Sequence, residues 1–188
     1  MSKIKLPHAS GNSMSIAAPA TNPASDLELK LPATIGTSHQ LLRNSGTAGT
    51  LEFTHNHFFE VYLSGNHTAY NGNLTASIVN FNAENHDLGS NFNTGTHLFT
   101  VPETGLYQFI ASTYTNETNS TQGWLVVNGS RNQYTDWVQD SAGSLLCTTH
   151  MKYLTAADTV GYHLHTGDTS CTVYANEWHT WFKGYKVH

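Results

Sequence analysis

Apolar and polar residues alternate in short runs along most of the chain between residues 57 and 188. These runs are rich in β-branched and aromatic residues, and clusters of Asn, Gly, Ser and Thr separate them. Alternation with a period of two is typical of strands that bury one face. The pattern predicts an all-β, double-sheet jelly roll of ten strands at 57–63, 66–70, 74–81, 96–101, 105–114, 123–129, 144–154, 158–165, 171–175 and 178–187.

The stretch from Asn91 to Phe109 has the clearest pattern of a strand, a corner and a second strand. Polar and apolar residues alternate up to Val101, and Pro102 cannot donate to a β-ladder. Gly105 allows a sharp change of direction before the next apolar run begins. We therefore predict two adjacent core strands here.

The first 56 residues follow a different pattern. Residues 1–16 are predicted to be extended, and Pro19 and Pro23 exclude a helix after them. Residues 26–31 alternate strictly, which predicts a half-buried strand with one apolar side, formed by Leu27, Leu29 and Leu31. Residues 35–53 are predicted to form a small hairpin with its turn near 44–46.

Aromatic residues divide the chain into two parts, because every Phe, Tyr and Trp lies at or after Phe53. A segment without large side chains cannot bury enough apolar area to offset the entropy of ordering it alone. We therefore predict a stem at residues 1–56 and a separate head at residues 57–188. Three copies of the Leu27, Leu29 and Leu31 stripe around a threefold axis would cover one another. In the alternative interpretation, the stripe packs on its own head.

The stretch from Asn91 to Phe109 contains a set of spaced aromatic, Thr, Gly and Pro residues, namely Phe92, Thr94, Gly95, Phe99, Thr100, Pro102, Gly105, Tyr107 and Phe109. These residues match the central signature of the C1q/tumour-necrosis-factor-like family, which the head resembles over roughly residues 57–188. Ala157 departs from the pattern, because the family more often has Gly before the following Asp. The resemblance implies a homotrimer of jelly-roll heads.

In the stem, Leu31 and Pro32 end an alternating strand, and a Gly-x-x-x-Gln-x-Leu motif runs from Gly36 to Leu42 before a glycine-rich turn. With these features, the stem resembles modules of bacteriophage fibre and appendage proteins. The resemblance implies a phage virion protein, made in the bacterial cytoplasm, whose stem docks into capsid or tail proteins. We expect a homotrimeric short fibre or spike whose head adheres to a host-surface glycan or protein. The alternatives are a capsid decoration, cement or head-fibre protein, and a free lectin-like or cytokine-like trimeric recognition protein.

Charge and hydropathy exclude several other functions. Charged residues make up 11% of the chain, and the net charge is −5. The absence of a Lys/Arg cluster argues against nucleic-acid binding. No apolar run is long enough to span a membrane, and the N-terminus lacks a signal-peptide core, so general secretion is not expected. Cys147 and Cys171 would pair if adjacent strands brought them together, but reduced, buried thiols are the expected state.

Two His-x-His pairs are candidate metal ligands. Alternate residues of a strand share a face, so His55 with His57, and His163 with His165, can each present two imidazoles. On a threefold axis, one such pair would supply six nitrogen ligands, and Asp158 and Asp168 would add oxygen ligands beside the second pair. The alternative is ordinary strand histidines. Calcium in head loops is a further candidate, with carboxylates from Glu84, Asp87, Asp136, Asp140, Asp158 and Asp168.

The sequence contains none of the common catalytic motifs, so we predict a protein that is not an enzyme. A glycosidase-like carboxylate pair is the alternative. Three aromatic residues are not explained by the family core, namely Tyr134 and Trp137 in the loop-like segment 131–141, and Trp178. Exposed Tyr and Trp serve protein interfaces and sugar stacking alike. These three residues are the candidates for surface recognition.

Overall fold

A computed structural model describes residues 3–7, 11, 13–17, 20–21, 23–25, 27–70, 77–116, 120–138, 144–167 and 171–187. The chain divides into two compact units, Met1–Thr54 (unit 1) and His55–His188 (unit 2). All regular structure in the described residues is β-structure, and these residues include no helix. The all-β prediction is therefore confirmed.

Unit 1 contains two antiparallel hairpins. The first joins β1 (Lys3–Pro7) to β2 (Ser13–Ala17), and the second joins β3 (Gln40–Asn44) to β4 (Leu51–His55). The second hairpin was predicted, and its turn lies between Asn44 and Leu51, where the Ser45 N–H donates to the Thr50 carbonyl at 2.8 Å. The first was not predicted, because isolated apolar residues between polar ones give a weak period-two signal.

The predicted strand at residues 26–31 is not formed in the described part of that segment. Lys30 makes only an isolated parallel bridge with Thr50, and Leu27, Leu29 and Leu31 are 76%, 63% and 73% exposed. Alternation of apolar and polar residues suits a segment to the burial of one face. A strand also needs a second strand along its length, which provides hydrogen-bond partners for its backbone N–H and C=O groups. In the described residues, backbone pairing of this segment with β4 is limited to Lys30, whose carbonyl accepts from the Leu51 N–H at 2.8 Å.

Unit 2 contains thirteen strands in its described residues, three more than predicted. Several of them, including β7 and β9, are only two or three residues long. The strands are β5 (Phe58–Tyr62), β6 (His67–Tyr70), β7 (Ser77–Ile78), β8 (Ala83–Leu88), β9 (Phe92–Asn93), β10 (Leu98–Thr100), β11 (Gly105–Thr115), β12 (Thr121–Val127), β13 (Ser130–Val138), β14 (Ser144–Leu154), β15 (Thr159–Thr166), β16 (Cys171–Val173) and β17 (Trp181–Lys186).

These strands form two antiparallel sheets that pack as a sandwich. The six-stranded sheet has the order β13-β12-β15-β10-β9, with β7 also pairing with β15. The seven-stranded sheet has the order β6-β16-β11-β17-β5-β8, with β14 pairing with β11. Inner-face side chains of both sheets interdigitate in one core, as in other β-sandwiches.

The corner around Pro102 carries the chain from one sheet to the other. β10 lies in the six-stranded sheet and β11 in the seven-stranded sheet, so the two predicted strands are consecutive but not hydrogen-bonded neighbours. The Tyr107 hydroxyl donates to the Glu103 carbonyl at 2.7 Å and closes the corner. Proline and glycine in the sequence mark the change of direction, but they do not specify that the chain changes sheets.

Three strands that the sequence pattern did not predict lie at or near sheet edges. β8 and β9 each end a sheet, and β13 ends the six-stranded sheet within a segment predicted as a loop. The residues of β8 that point away from the core are polar and exposed. Edge strands commonly carry polar side chains, which weakens the alternation that a sequence-based prediction depends on.

The core of unit 2 is a cluster of aromatic rings between the sheets. The ring centroid of Phe59 lies 4.7 Å from that of Phe99 and 5.1 Å from that of Phe182. Gly184 of β17 pairs with Phe59 on one side and with Phe109 on the other. The absence of a side chain at Gly184 leaves room for these two rings.

The turn between β14 and β15 holds Ala157 in a left-handed backbone conformation, with a φ of +73°. This conformation costs a residue with a Cβ atom about 1–2 kcal/mol relative to glycine. We expect Ala157→Gly to raise the free energy of unfolding by about 1 kcal/mol, because the relief of strain exceeds the added entropy of the unfolded chain. Urea denaturation measures this change.

Ala156 provides a matched control in the same turn, because it is exposed and its φ is not positive. Ala156→Gly is expected to lower the free energy of unfolding by about 0.5 kcal/mol through backbone entropy alone. Equal effects of the two substitutions would show that the conformation of Ala157 carries no strain.

Candidate functional site

The outer face of the seven-stranded sheet exposes apolar side chains that no described residue of the chain covers. Met151 and Tyr153 of β14 are 50% and 64% exposed. Tyr153 pairs with Leu106, and Gln108 pairs with Met151 on one side and Tyr185 on the other. These cross-strand pairs place the exposed residues next to one another, and we call this set of residues the apolar face.

The apolar face borders a polar row on the same sheet. Lys183 pairs with Glu60 across β17 and β5, and its Nζ lies 3.0 Å from Glu60 Oε1. Burial raises the pKa of Glu60, but hydrogen bonds from Lys183 and Asn85 outweigh this effect and hold the pKa below its usual value. The ammonium group of Lys183 also lies 4.6 Å from the ring centroid of Trp181.

A compact ionic cluster lies near the start of β5, where the chain enters unit 2. Lys186 Nζ lies 2.6 Å from Glu103 Oε2, and His57 Nε2 lies 3.6 Å from Glu103 Oε1. His57 is buried, and burial lowers the pKa of its imidazole. The Glu103 carboxylate raises this pKa, but only in part. The cluster therefore contains a neutral imidazole beside a paired lysine and glutamate.

The predicted metal ligands are placed as follows. His55 ends β4, and His57 lies outside any strand with its Nε2 directed at Glu103, so the two do not form one continuous strand face. His163 and His165 share one face of β15, where the ring of His165 stacks parallel to that of Trp124. Among the described residues, no group of three or more His, Cys, Asp and Glu side chains is placed to hold a metal ion.

The loop carboxylates have other partners where the structure describes them. Asp158 accepts hydrogen bonds from Asn128 Nδ2 at 2.7 Å and from the Thr155 N–H at 2.8 Å, and these lower its pKa. Asp87 accepts from the N–H groups of Asn91 and Phe92. Glu84 and Asp136 lie in β8 and β13 rather than in loops, and Asp140 and Asp168 lie outside the described residues. A metal on a threefold axis and calcium in the head stay predictions.

The predicted recognition residues lie in different environments. Tyr134 and Trp137 belong to β13, where the sequence pattern predicted a loop. Their side chains lie outside the described part of the structure, so their role in recognition stays a prediction. Trp178 lies in the turn before β17 and is 76% exposed. Of these residues, Trp178 is the one that the structure shows at the surface.

The two cysteines form no disulfide bond with each other. Cys147 of β14 pairs with Ser112 on one side of β11, whereas β16, which contains Cys171, lies on the other side of β11. The prediction of reduced thiols agrees with this arrangement, but the prediction that both are buried is wrong, because Cys147 is exposed. Cys147 lies on the outer face of its strand, which a period-two pattern alone does not distinguish from the inner face.

The lowered pKa of His57 makes the stability of unit 2 pH-dependent. Because the unfolded state binds the His57 proton more readily, the free energy of unfolding is expected to fall as the pH drops from about 7 to about 5. For one group, the slope cannot exceed about 1.4 kcal/mol per pH unit. His57→Asn should flatten this dependence in urea titrations. His39→Asn, at an exposed histidine, should leave it unchanged, and an equally steep dependence in both variants would contradict the assignment.

No helix in the described part of the chain is long and apolar enough to cross a membrane. No protein-family model and no curated protein sequence matches the chain. Its structure, however, is similar to solved β-sandwich domains.

The globular domain of the zebrafish complement 1qA protein aligns with a TM-score of 0.56 at 17% identity, covering 71% of this chain and 98% of that one. Murine APRIL aligns with a TM-score of 0.54 at 11% identity, covering 70% of this chain and 99% of that one. The chain therefore has the jelly-roll fold of C1q and TNF-family globular domains. At these identities, the similarity establishes the fold and does not establish a shared function.

Proposed function

We propose that the protein is a homotrimer in which three copies of unit 2 cover one another's apolar face. The observation that carries this proposal is the exposure of Met151 and Tyr153 on β14, and of Tyr185 two strands away on the same face of the sheet. Contiguous exposed apolar residues of this kind mark interfaces rather than solvated surface. Closed symmetric assembly is the usual way for identical chains to bury such a face.

Unit 1 supports the same oligomeric state. Leu27, Leu29, Leu31 and Ile35 are exposed in the single chain, and Ile35 is 93% exposed. Four large aliphatic side chains within nine residues gain about 1.5–3 kcal/mol each when they are fully buried. We propose that unit 1 is a trimeric stem in which neighbouring copies, or a docking partner, provide that burial.

We propose that this trimer is a structural protein of a phage particle, a short fibre or spike. Its stem docks into capsid or tail proteins, and its head is displayed for adhesion to a host surface. The support is the resemblance of residues 26–53 to phage stem modules. Capsid decoration or stabilisation is the second role within this proposal. Locating the protein by microscopy of the particle distinguishes the two roles.

A free trimeric recognition protein, lectin-like or cytokine-like, is the rival from another class and fits the fold equally well. We favour a non-enzymatic role in either case. Asp87 and Asp158, two of the candidate loop carboxylates, are used by backbone and amide donors and are not paired with each other. Turnover of host polysaccharide that is lost on mutation of a loop carboxylate would contradict this part of the proposal.

Truncation before His55 tests the division of labour between the two units. Unit 2 contains its own core, so the truncated chain is expected to fold and remain trimeric while losing incorporation into particles. Light scattering measures the first property, and particle composition measures the second, with the full-length chain produced in parallel as the control. Incorporation of the truncated protein at the level of the full-length chain would contradict the anchoring role of unit 1.

A further inference from the structure

Backbone hydrogen bonds hold the loop at residues 175–180 in a rigid conformation. The Asn176 N–H donates to the Leu63 carbonyl at 2.8 Å, and the Asn176 carbonyl accepts from the N–H groups of His179 and Thr180. The Asn176 side chain accepts from the Trp178 N–H at 3.0 Å. Asn176 has a φ of +113°, which a residue with a Cβ rarely adopts unless its surroundings enforce it.

Aromatic rings support this loop from the sheet side. Tyr114 stacks on Tyr174 with centroids 5.1 Å apart, and its ring lies 5.2 Å from that of His179. The Ser112 hydroxyl donates to the His179 carbonyl at 3.0 Å. The loop is therefore fixed to β11 through His179, the residue that follows Trp178.

A rigid loop that exposes a tryptophan is suited to binding. Trp178 is 76% exposed, although tryptophan has one of the largest apolar surfaces of any side chain. Because its backbone is already ordered, a ligand that stacks on the indole meets little of the usual entropic cost of ordering a loop. Hot spots of binding sites are enriched in such pre-positioned tryptophans.

An open pocket of about 450 Å³ lies beside the loop and has the chemistry of a saccharide site. Its lining includes Tyr62, Ser64, Asn176 and Glu177. Asn85 Nδ2 bridges Glu177 Oε2 at 3.2 Å and Glu60 Oε1 at 3.3 Å. Hydroxyl, amide and carboxylate groups bond sugar hydroxyls as donors and acceptors, while an indole face packs against sugar C–H groups. The Glu177 carboxylate at the pocket disfavours an anionic sugar.

The loop also lies at the end of unit 2 that is remote from the entry of the chain. Phe58, at the start of β5, pairs with Tyr185, whereas Tyr62, at its end, pairs with Trp181, three residues after Trp178. Within unit 2, Trp178 therefore lies toward the opposite end of β5 from Phe58. We propose that Trp178 and the adjacent pocket bind a neutral saccharide. This inference rests on the proposed display function and specifies its ligand class.

Saturation-transfer NMR on the full-length chain tests this proposal. The probes are the methyl glycosides of glucose, galactose and N-acetylglucosamine, with N-acetylneuraminic acid as the anionic contrast. We expect transfer to the ring C–H protons of at least one neutral probe. Affinity should fall at least about tenfold in Trp178→Ala and in Glu177→Ala, and should largely persist in Trp178→Phe. Thr100→Ala, which shortens an exposed side chain on the six-stranded sheet, should bind as the wild type does.

Several outcomes would overturn the proposal. They are the absence of transfer to every neutral probe at millimolar concentration, binding that Trp178→Ala leaves intact, and a preference for the anionic sugar. Binding of a protein through Trp178, with no saturation transfer to any saccharide probe, would also overturn the proposal. Particle incorporation is measured on the same variants. Loss of sugar binding with normal incorporation separates failure of this inference from failure of the proposed virion role.

Discussion

Replacing Gly184 with alanine is expected to lower the free energy of unfolding of unit 2 by about 3 kcal/mol. Among the substitutions expected to change folding stability, this one has the largest effect. A Cβ at this position would lie 2.7 Å from Phe109 Cδ1 and would overlap the ring of Phe59. Neither ring can move away, because Phe59 stacks on Phe99 and Phe109 stacks on Phe182. The close packing of protein interiors leaves no space for the displaced atoms.

Gly65→Ala is the matched control, because a Cβ there meets no atom within 4 Å and the φ of Gly65 is not positive. Its free energy of unfolding is expected to stay within about 1 kcal/mol of the wild-type value. Urea midpoints of both variants, measured under identical conditions, provide the comparison. A Gly184→Ala variant as stable as Gly65→Ala would show that the aromatic rings do not pack across Gly184 as described.

The central strands were predictable because burial on one side imposes strict alternation. β11 buries alternate residues, namely Tyr107, Phe109 and Ala111. This period of two can be read from the sequence alone. Gly184 breaks the run of bulky residues in β17, but nothing in the sequence shows that two phenylalanines on neighbouring strands need its space. That requirement follows from the register, which depends on pairing across the sheet.

Edge strands and turns were predicted less well, for a different physical reason. β8 and β13 each have a free edge and tolerate polar residues, so their sequences resemble loops. The resemblance singled out Ala157 as a departure from the family pattern, but its left-handed conformation became visible only in the structure. Local sequence shows where the chain turns but rarely shows which strand it meets next.

The candidate surfaces depend even more strongly on tertiary structure. Trp178 was one of three aromatic residues without a place in the predicted core, and only the folded chain distinguishes it from Tyr134 and Trp137, which lie in β13. The His57 cluster brings Glu103 and Lys186 together over 83 residues of chain. The spacing of Glu103 and Lys186 in the sequence does not indicate that contact. In contrast, alternating apolar and polar residues in β14 indicate from the sequence that one face of this strand is apolar.

Replacing Met151 with aspartate is expected to abolish the proposed trimer. Met151 is half-exposed in the single chain and pairs with Gln108, which pairs with Tyr185 on its other side, so it belongs to the apolar face. If three copies bury this face, each introduced carboxylate loses its hydration without gaining a partner, at a cost of about 3–5 kcal/mol per chain. Light scattering should then report a folded monomer of 20.6 kDa in place of a mass three times larger.

Two variants separate the loss of an interface from a general effect of substitution. Met151→Leu keeps the apolar surface and should remain trimeric. Thr100→Asp introduces the same charge at an exposed position of the six-stranded sheet and should also remain trimeric. If Met151→Asp assembled as the wild type does while Thr100→Asp dissociated, the six-stranded sheet would form the interface instead. The apolar face would then be available to a different partner. An apolar surface that exposes a side chain as large as Tyr153 is typical of an interaction site.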